Sequence, residues 1–416
     1  MSLSGLTGCG GEDPHEEPPL SFDTSQPDVS ADDVGVDAGP TPTPDVGSDA
    51  GPDAGPPPPP PPPSGRIEYL ALDERQVDVD DLWEVAFDIV EGVRSFTLLV
   101  EAVAPAHADI WVSTVRDPDD EVLYDVREGG AELVIITPYT TGGQMGLMLP
   151  NTPEVPLKTG RYTVELWADD TTLVKSHVLF KRGPVNPTGG KLALNLWFTE
   201  QNILGAQAAG SDADFQAAME ALRSVYAQVG VAVDTVDYFD IEGALAQSLA
   251  VPRDDEKACA EIRELPIVGD PSAINIVFIE HDNFDYGPVM GLSCGVPGLP
   301  SYPGITRSGV MLSLDYLRED AAMFGDTIAH EIAHFLGLFH TSEDNGMEHD
   351  PLLDTPECTT AQDTNGDGTL SSEECIDHGA DNNMFWSSFA DGSRSTLLTS
   401  DQRFVLMNNP LIETFE

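Results

Sequence analysis

The sequence predicts a multidomain chain: a disordered N-terminal tether, an all-β sandwich or jelly-roll domain, and a C-terminal α/β (α+β) domain. Three observations carry this expectation. Residues 1–65 are dominated by proline, aspartate and glycine. Residues 66–183 hold short alternating apolar runs parted by turn residues. Beyond residue 190, helical periodicities alternate with strand-like apolar runs. A length of 416 residues, at roughly 150 per domain, allows two or three domains.

The tether is read from composition. Between residues 10 and 65 there are twelve Asp or Glu, no Lys or Arg, repeated Asp-Ala-Gly-Pro units and an unbroken proline run over 56–63. Such a stretch buries too little apolar surface to offset the entropy of ordering it, and its proline run stiffens towards polyproline II. In front of it, Leu6-Thr7-Gly8-Cys9 resembles the lipobox of bacterial lipoproteins, whose cysteine is lipidated. That resemblance implies an exported protein held at the outer membrane or cell surface through Cys9. Met1-Ser2-Leu3 then reads as a remnant standing in place of the export signal.

The second domain, residues 66–183, is expected to carry strands at 67–72, 85–90, 96–103, 110–113, 133–136, 162–167 and 173–181. Asp117-Pro118-Asp119-Asp120 and Lys158-Thr159-Gly160 turn the chain between them. His107 and His177 read as ordinary strand or loop residues. The glycine- and proline-rich residues 183–190 read as a linker. In the third domain, residues 190–416, strands are expected at 192–198, 274–279 and 309–314 and helices at 213–229 and 320–336, which together give a twisted sheet backed by helices.

Net charge bounds the partners. A formal charge of −53, from 19 basic and 72 acidic residues, argues against nucleic acid and against an acidic membrane surface. It suits an extracellular protein that binds divalent cations. Four cysteines besides Cys9, namely Cys259, Cys294, Cys358 and Cys375, suggest two disulfides in an exported chain. Three pairings are open; Cys259 with Cys294 and Cys358 with Cys375 close the short loops.

The segment His330-Glu331-Ile332-Ala333-His334-Phe335-Leu336-Gly337-Leu338-Phe339-His340 decides the chemistry. Residues four apart lie on one helix face, so His330 and His334 can present imidazoles to one ion. A third ligand further along a straight helix would diverge. Gly337 accepts a left-handed conformation, ends the helix and swings His340 round to complete a three-histidine zinc set that keeps one position open. Glu331, beside the first ligand, is placed as the general base.

This pattern resembles the long zinc signature of the metzincin peptidases. The resemblance implies a zinc endopeptidase acting on protein or peptide substrates, with a methionine turn some tens of residues downstream. Asn382-Asn383-Met384-Phe385-Trp386 stands there, making Met384 the turn methionine; where many relatives have a tyrosine, this chain has Trp386. Leu336-Gly337-Leu338-Phe339-His340-Thr341 and Asp354-Thr355-Pro356 are similar to the pappalysin group. That similarity implies that residues 290–303 border the cleft, where an edge strand pairs with an extended substrate.

Residues 363–374 match a twelve-residue calcium loop. Asp363, Asn365 and Asp367 supply side-chain oxygens, Thr369 a carbonyl, Ser371 a water-mediated contact and Glu374 a bidentate carboxylate, with Gly368 at the sharp turn. A second acidic group, Asp344, Glu348, Asp350 and Asp354, is open between an ion site and a solvated loop, and His349 and His378 read as surface residues. Two other functions compete with the peptidase: a calcium-stabilised binding or adhesion lipoprotein with a retired protease fold, and a zinc hydrolase of non-peptide amides or esters. The intact Glu331 speaks against the first; only substrates separate the second.

Overall fold

The alternating runs form two antiparallel sheets in the computed structural model, which describes residues 67–79, 81–104, 108–126, 143–184, 186–199, 204–270, 272–284, 287, 289–300, 302 and 308–415. The tether with Cys9, His107 and the strand expected at 133–136 lie outside the described residues. Strands β1 (Ile67–Val77), β2 (Trp83–Ile89), β3 (Val93–Ala104), β4 (Ile110–Arg116), β5 (Val122–Asp125), β6 (Gln144–Leu149), β7 (Gly160–Ala168) and β8 (Thr172–Arg182) pair in the orders β1-β8-β3-β6 and β2-β7-β4-β5. Period-2 burial explains the packing. Strand β7 turns Tyr162, Val164, Leu166 and Ala168 inward, where they meet Phe87, Phe96, Leu98 and Val178 from both sheets in one core. Strand β6 was not foreseen because all six of its residues are buried, which erases the alternation that marks a half-exposed strand.

The second half is a mixed sheet between helices. It comprises β9 (Gly189–Thr199), α1 (Ala206–Ala209), α2 (Ala213–Gln228), β10 (Val231–Ile241), α3 (Gly243–Ala250), α4 (Asp255–Ile262), β11 (Ile274–Ile279), β12 (Gly291–Ser293), β13 (Gly309–Ser313), α5 (Ala321–Phe335), α6 (Ser400–Asn408) and β14 (Glu413–Phe415). Strand order is β10-β9-β11-β13-β12, parallel except for the short antiparallel edge strand β12, while β14 pairs antiparallel with the start of β9. Strands β11 and β13 are wholly buried because both faces are covered. Leu194, Ile276, Phe278 and Leu312 pack towards α2 and α5 on one face, and Trp197, Val277 and Met311 towards α3 and α4 on the other. The stretch read as a linker is partly structured: Gly189 and Gly190 belong to β9, because β14 pairs against them.

One sheet of the sandwich presses its outer face on this second half. Leu99 and Leu179 meet Leu299 and Tyr302. Met148 joins the core that holds α5, and Ser95 Oγ donates to the Asn408 carbonyl at 2.5 Å. Buried Lys181, in β8, donates to the carbonyls of Met407, Asn409 and Ile412 at 2.7, 2.6 and 2.7 Å, tying the sandwich to the end of α6.

Candidate metal centre

Helix α5 begins where the Asp320 side chain accepts from the Ala322 and Met323 amides, and the Tyr226 hydroxyl from α2 donates to the Ala329 carbonyl. It ends at Gly337, whose φ of +104° lies in the left-handed region. The Gly337 amide reaches the His334 carbonyl at 2.8 Å and the Leu338 amide the Ala333 carbonyl at 3.0 Å, the paired bonds of a Schellman cap. The chain therefore turns back across the helix end and carries His340 to the other two histidines.

The three Nε2 atoms form a near-equilateral triangle, with edges of 3.0 Å (His330–His334), 3.0 Å (His334–His340) and 3.2 Å (His330–His340). Each ring spends its other nitrogen on an oxygen. His330 Nδ1 donates to the Asn383 carbonyl at 2.6 Å, His334 Nδ1 to the Leu338 carbonyl at 2.7 Å and His340 Nδ1 to Glu343 Oε2 at 2.9 Å. With those protons fixed outward, three inward lone pairs face one point, an arrangement that repels itself unless a cation lies there. Tetrahedral zinc with bonds of about 2.0–2.1 Å would set nitrogen separations of about 3.3 Å, close to the triangle observed. The residues fit a three-histidine metal. Among the described residues this is the one group of three or more His, Cys, Asp or Glu whose ligand atoms lie within 4.8 Å of each other.

Electrostatics favour neutral rings at His330 and His334. Burial, and then the His340 charge, push the His330 imidazole down to about 3. Burial likewise holds His334 well below the ordinary histidine range. His340 differs: burial pulls it down, but facing Glu343 outweighs this and keeps it above its usual value. Burial lifts the Glu331 carboxyl to about 8, against the pull of His340 and the Ser293 amide, and its Oε2 has no hydrogen-bond partner. Gly291 on the edge strand makes room for this side chain, since a Cβ there would stand 2.6 Å from Glu331 Cγ.

Met384 is fully buried in the core beneath α5, and its carbonyl accepts from the Thr341 amide at 3.0 Å. The turn at Asn383 and Met384 thus touches the chain beside His340 and holds His330 directly. Next to the triangle opens a cleft bordered by Met290 and Gly291, by His330 and Glu331, and by residues following the turn. Trp386 lines it and leans on the small core of Cys358, Leu370, Cys375 and Phe385.

Sulfur pairs join Cys259 with Cys294 and Cys358 with Cys375, as the short-loop reading expects. In the calcium loop, the Gly366 and Gly368 amides donate to Asp363 and the Asp367 amide to Asn365 Oδ1. The Thr369 amide donates to Asp367 Oδ1, and the Thr364 and Ser371 amides donate to Glu374. These oxygens satisfy backbone donors, and the acidic residues of the loop do not form a converged cluster. Nor do Asp344, Glu348, Asp350 and Asp354. His349 is half-buried, with Nε2 towards the Cys358 carbonyl, and His378 is exposed.

Buried Asp350 makes a prediction of its own. Burial lifts its carboxyl from 3.8 to about 7, despite bonds from Thr355 and the Leu352 amide, while Asp354 and Glu357 add to the rise. A raised folded value means the native chain holds this proton longer than the unfolded chain. The contribution is therefore fully present below about pH 4 and lost as pH climbs through about 7. Asp350→Asn keeps an acceptor for Thr355 without a charge. Thermal melts at pH 5 and pH 8 should show the variant gaining on the parent by up to about 3 kcal/mol at the higher pH. Equal pH dependence of the two proteins would contradict the reading.

Several residues of the site were not foreseen. Glu343, three residues past His340, was legible as an acid close to a ligand. Asn383 acts through its carbonyl, so its side chain gave no signal. Asp326, one helical turn before His330, shares its face, but its partner Arg394 lies far along the chain.

No family model matches the chain. It is 27% identical over 213 residues to an extracellular metalloprotease of Arthroderma benhamiae, covering 46% of this chain and 72% of that protein. An extracellular metalloprotease of Trichophyton verrucosum matches at the same 27% over 213 residues, with 46% and 72% covered. Among solved structures, metalloproteinase-II from Bacteroides fragilis is similar at 14% identity and a TM-score of 0.23, with 42% of this chain covered. The chain spans 57% of that structure's length.

Proposed function

We propose that the chain is a secreted, surface-tethered zinc endopeptidase of the metzincin type, similar to the pappalysin group. It would have a tether over 1–65, an accessory sandwich over 66–183 and a catalytic domain over 190–416. Supporting a metallopeptidase are the similarity to extracellular metalloproteases and, above all, the three Nε2 atoms meeting at 3.0–3.2 Å beside a cleft. Secretion accords with the names of those relatives and with the two disulfides; no helix among the described residues is long and apolar enough to cross a membrane. The tether's lipid anchor on Cys9 rests on the sequence alone.

His330, His334 and His340 would hold the zinc, which when bound acidifies a water and polarises a carbonyl. Glu331 supplies the proton traffic. Its unpartnered Oε2 takes a proton from the attacking water and returns it to the departing amine nitrogen as the C–N bond breaks. Burial, which raises this carboxyl, suits a group that must hold a proton between those two events. The edge strand β12 carries Gly291 at the cleft, where its free side can pair with an extended peptide. The decisive experiment incubates the full chain with a proteome-derived peptide mixture, with and without a zinc chelator, and reads new termini by mass spectrometry. Chelator-sensitive internal cleavages are expected; their absence in zinc-supplemented protein would end the proposal.

We also assign calcium to Asp363, Asn365, Asp367, Thr369, Ser371 and Glu374. The loop's end is wired to the cleft wall, since Ser372 Oγ donates to the Ser387 carbonyl at 2.9 Å and the Ala390 amide donates to Glu373 at 2.8 Å. Removing calcium with a chelator that spares zinc should therefore lower the melting temperature and peptide turnover together. Indifference of both would leave the loop a solvated acidic turn.

A further inference from the structure

We propose that the cleft wall beyond His330 is a subsite for an acidic side chain of the substrate, recognised by Arg394; this rests on the peptidase reading. Asp326 lies four residues before His330 and therefore on the same face of α5, one turn further along the cleft. Arg394 crosses to it with two parallel bonds, Nε to Oδ2 at 2.5 Å and Nη2 to Oδ1. The two partners are unequally covered: the Asp326 side chain is 8% exposed, that of Arg394 37%. Both line the cleft. Both carboxylate oxygens are spent on the guanidinium, and the more exposed partner of the pair is the cation. Nη1 has no partner among the described residues, which leaves the outer edge of the fork able to receive a second carboxylate.

The surroundings favour the same ligand. Four serines border the cleft, and although the Ser395 hydroxyl is spent on the Ala380 carbonyl and that of Ser387 faces Ser372, Ser388 and Ser393 remain to offer hydroxyl donors among the apolar neighbours. Among the described residues that border the cleft the only other carboxylate is Glu331, which the reaction itself uses, while Asp320 acts on Arg394 from outside that lining. Arg394 is also held in register with the metal ligands. Asn383 Nδ2 donates to the carbonyls of Asp326 and Ser395 at 3.1 Å, while its own carbonyl receives the His330 proton. The guanidinium therefore stands at a fixed distance from the scissile bond, and its selectivity should fall on one substrate position. The overall charge of −53 repels acidic peptides at long range, so recognition is local and survives moderate salt.

The test uses zinc-loaded full-length protein and matched peptides differing by Glu or Gln at each position flanking the cleaved bond. At one position the Glu peptide is expected to have a kcat/KM about tenfold above its Gln twin. In the double variant Arg394→Gln with Asp326→Asn, which leaves no buried charge unpaired, that ratio should fall towards one. Arg394→Lys keeps the charge but not the fork and should retain part of it, which covers the case in which the double variant does not fold. Cleavage without an acidic preference at any position, or a tenfold ratio that persists in the double variant, overturns the subsite and leaves the peptidase standing. Absence of any cleavage by the parent overturns both.

Discussion

Glu331→Gln should keep full metal stoichiometry and lose about a thousandfold or more in peptide turnover, the scale on which positioned general acid–base groups act. Glutamine has the same reach and volume, so it still fits against Gly291 and leaves the rings of His330 and His334 on their oxygens. What it loses is the capacity of one oxygen to take and give back a proton. Metal analysis of the purified variant beside steady-state kinetics on one cleaved peptide separates the two roles. A variant that binds metal and still turns over within tenfold of the parent would remove Glu331 from the chemistry.

Lys181→Met is expected to cost about 3–5 kcal/mol of stability, although the residue lies in the sandwich and the substitution nearly preserves length. All three ammonium protons are matched to carbonyls at the end of α6. The thioether can satisfy none of them, so three acceptors in a buried setting lose their donor at once. Arginine is no substitute, because a planar fork does not address three converging carbonyls as an ammonium does. Chemical denaturation with tryptophan fluorescence measures the loss. A change below about 0.5 kcal/mol would mean that the joint between the halves is held by its apolar contacts alone.

The sequence made the centre legible because its information is local. His330, Glu331, His334, Gly337 and His340 lie within eleven residues, and helix geometry converts that spacing into a position in space. Strand β11 and helix α5 were readable to within a residue or so for the same reason. Other features are relations between distant segments. Strand β6 is buried on two sides by partners that its own residues do not announce. Strand β10, at the sheet's edge and carrying Asp234, Asp237 and Asp240, was not among the expected strands. Arg394 meets Asp326 across 68 residues, and nothing near either one marks the pair.

Met148 reaches from β6 to the turn at Gly337, where a Cβ on the glycine would lie 2.9 Å from its methyl. The helix end that aims His340 is thus roofed by a side chain from the sandwich. It follows that the sandwich is no detachable pro-segment: maturation by cutting it away would uncover the cap and the apolar face around Leu99 and Leu179. Any trimming of the chain that keeps this cap covered must stop before β1.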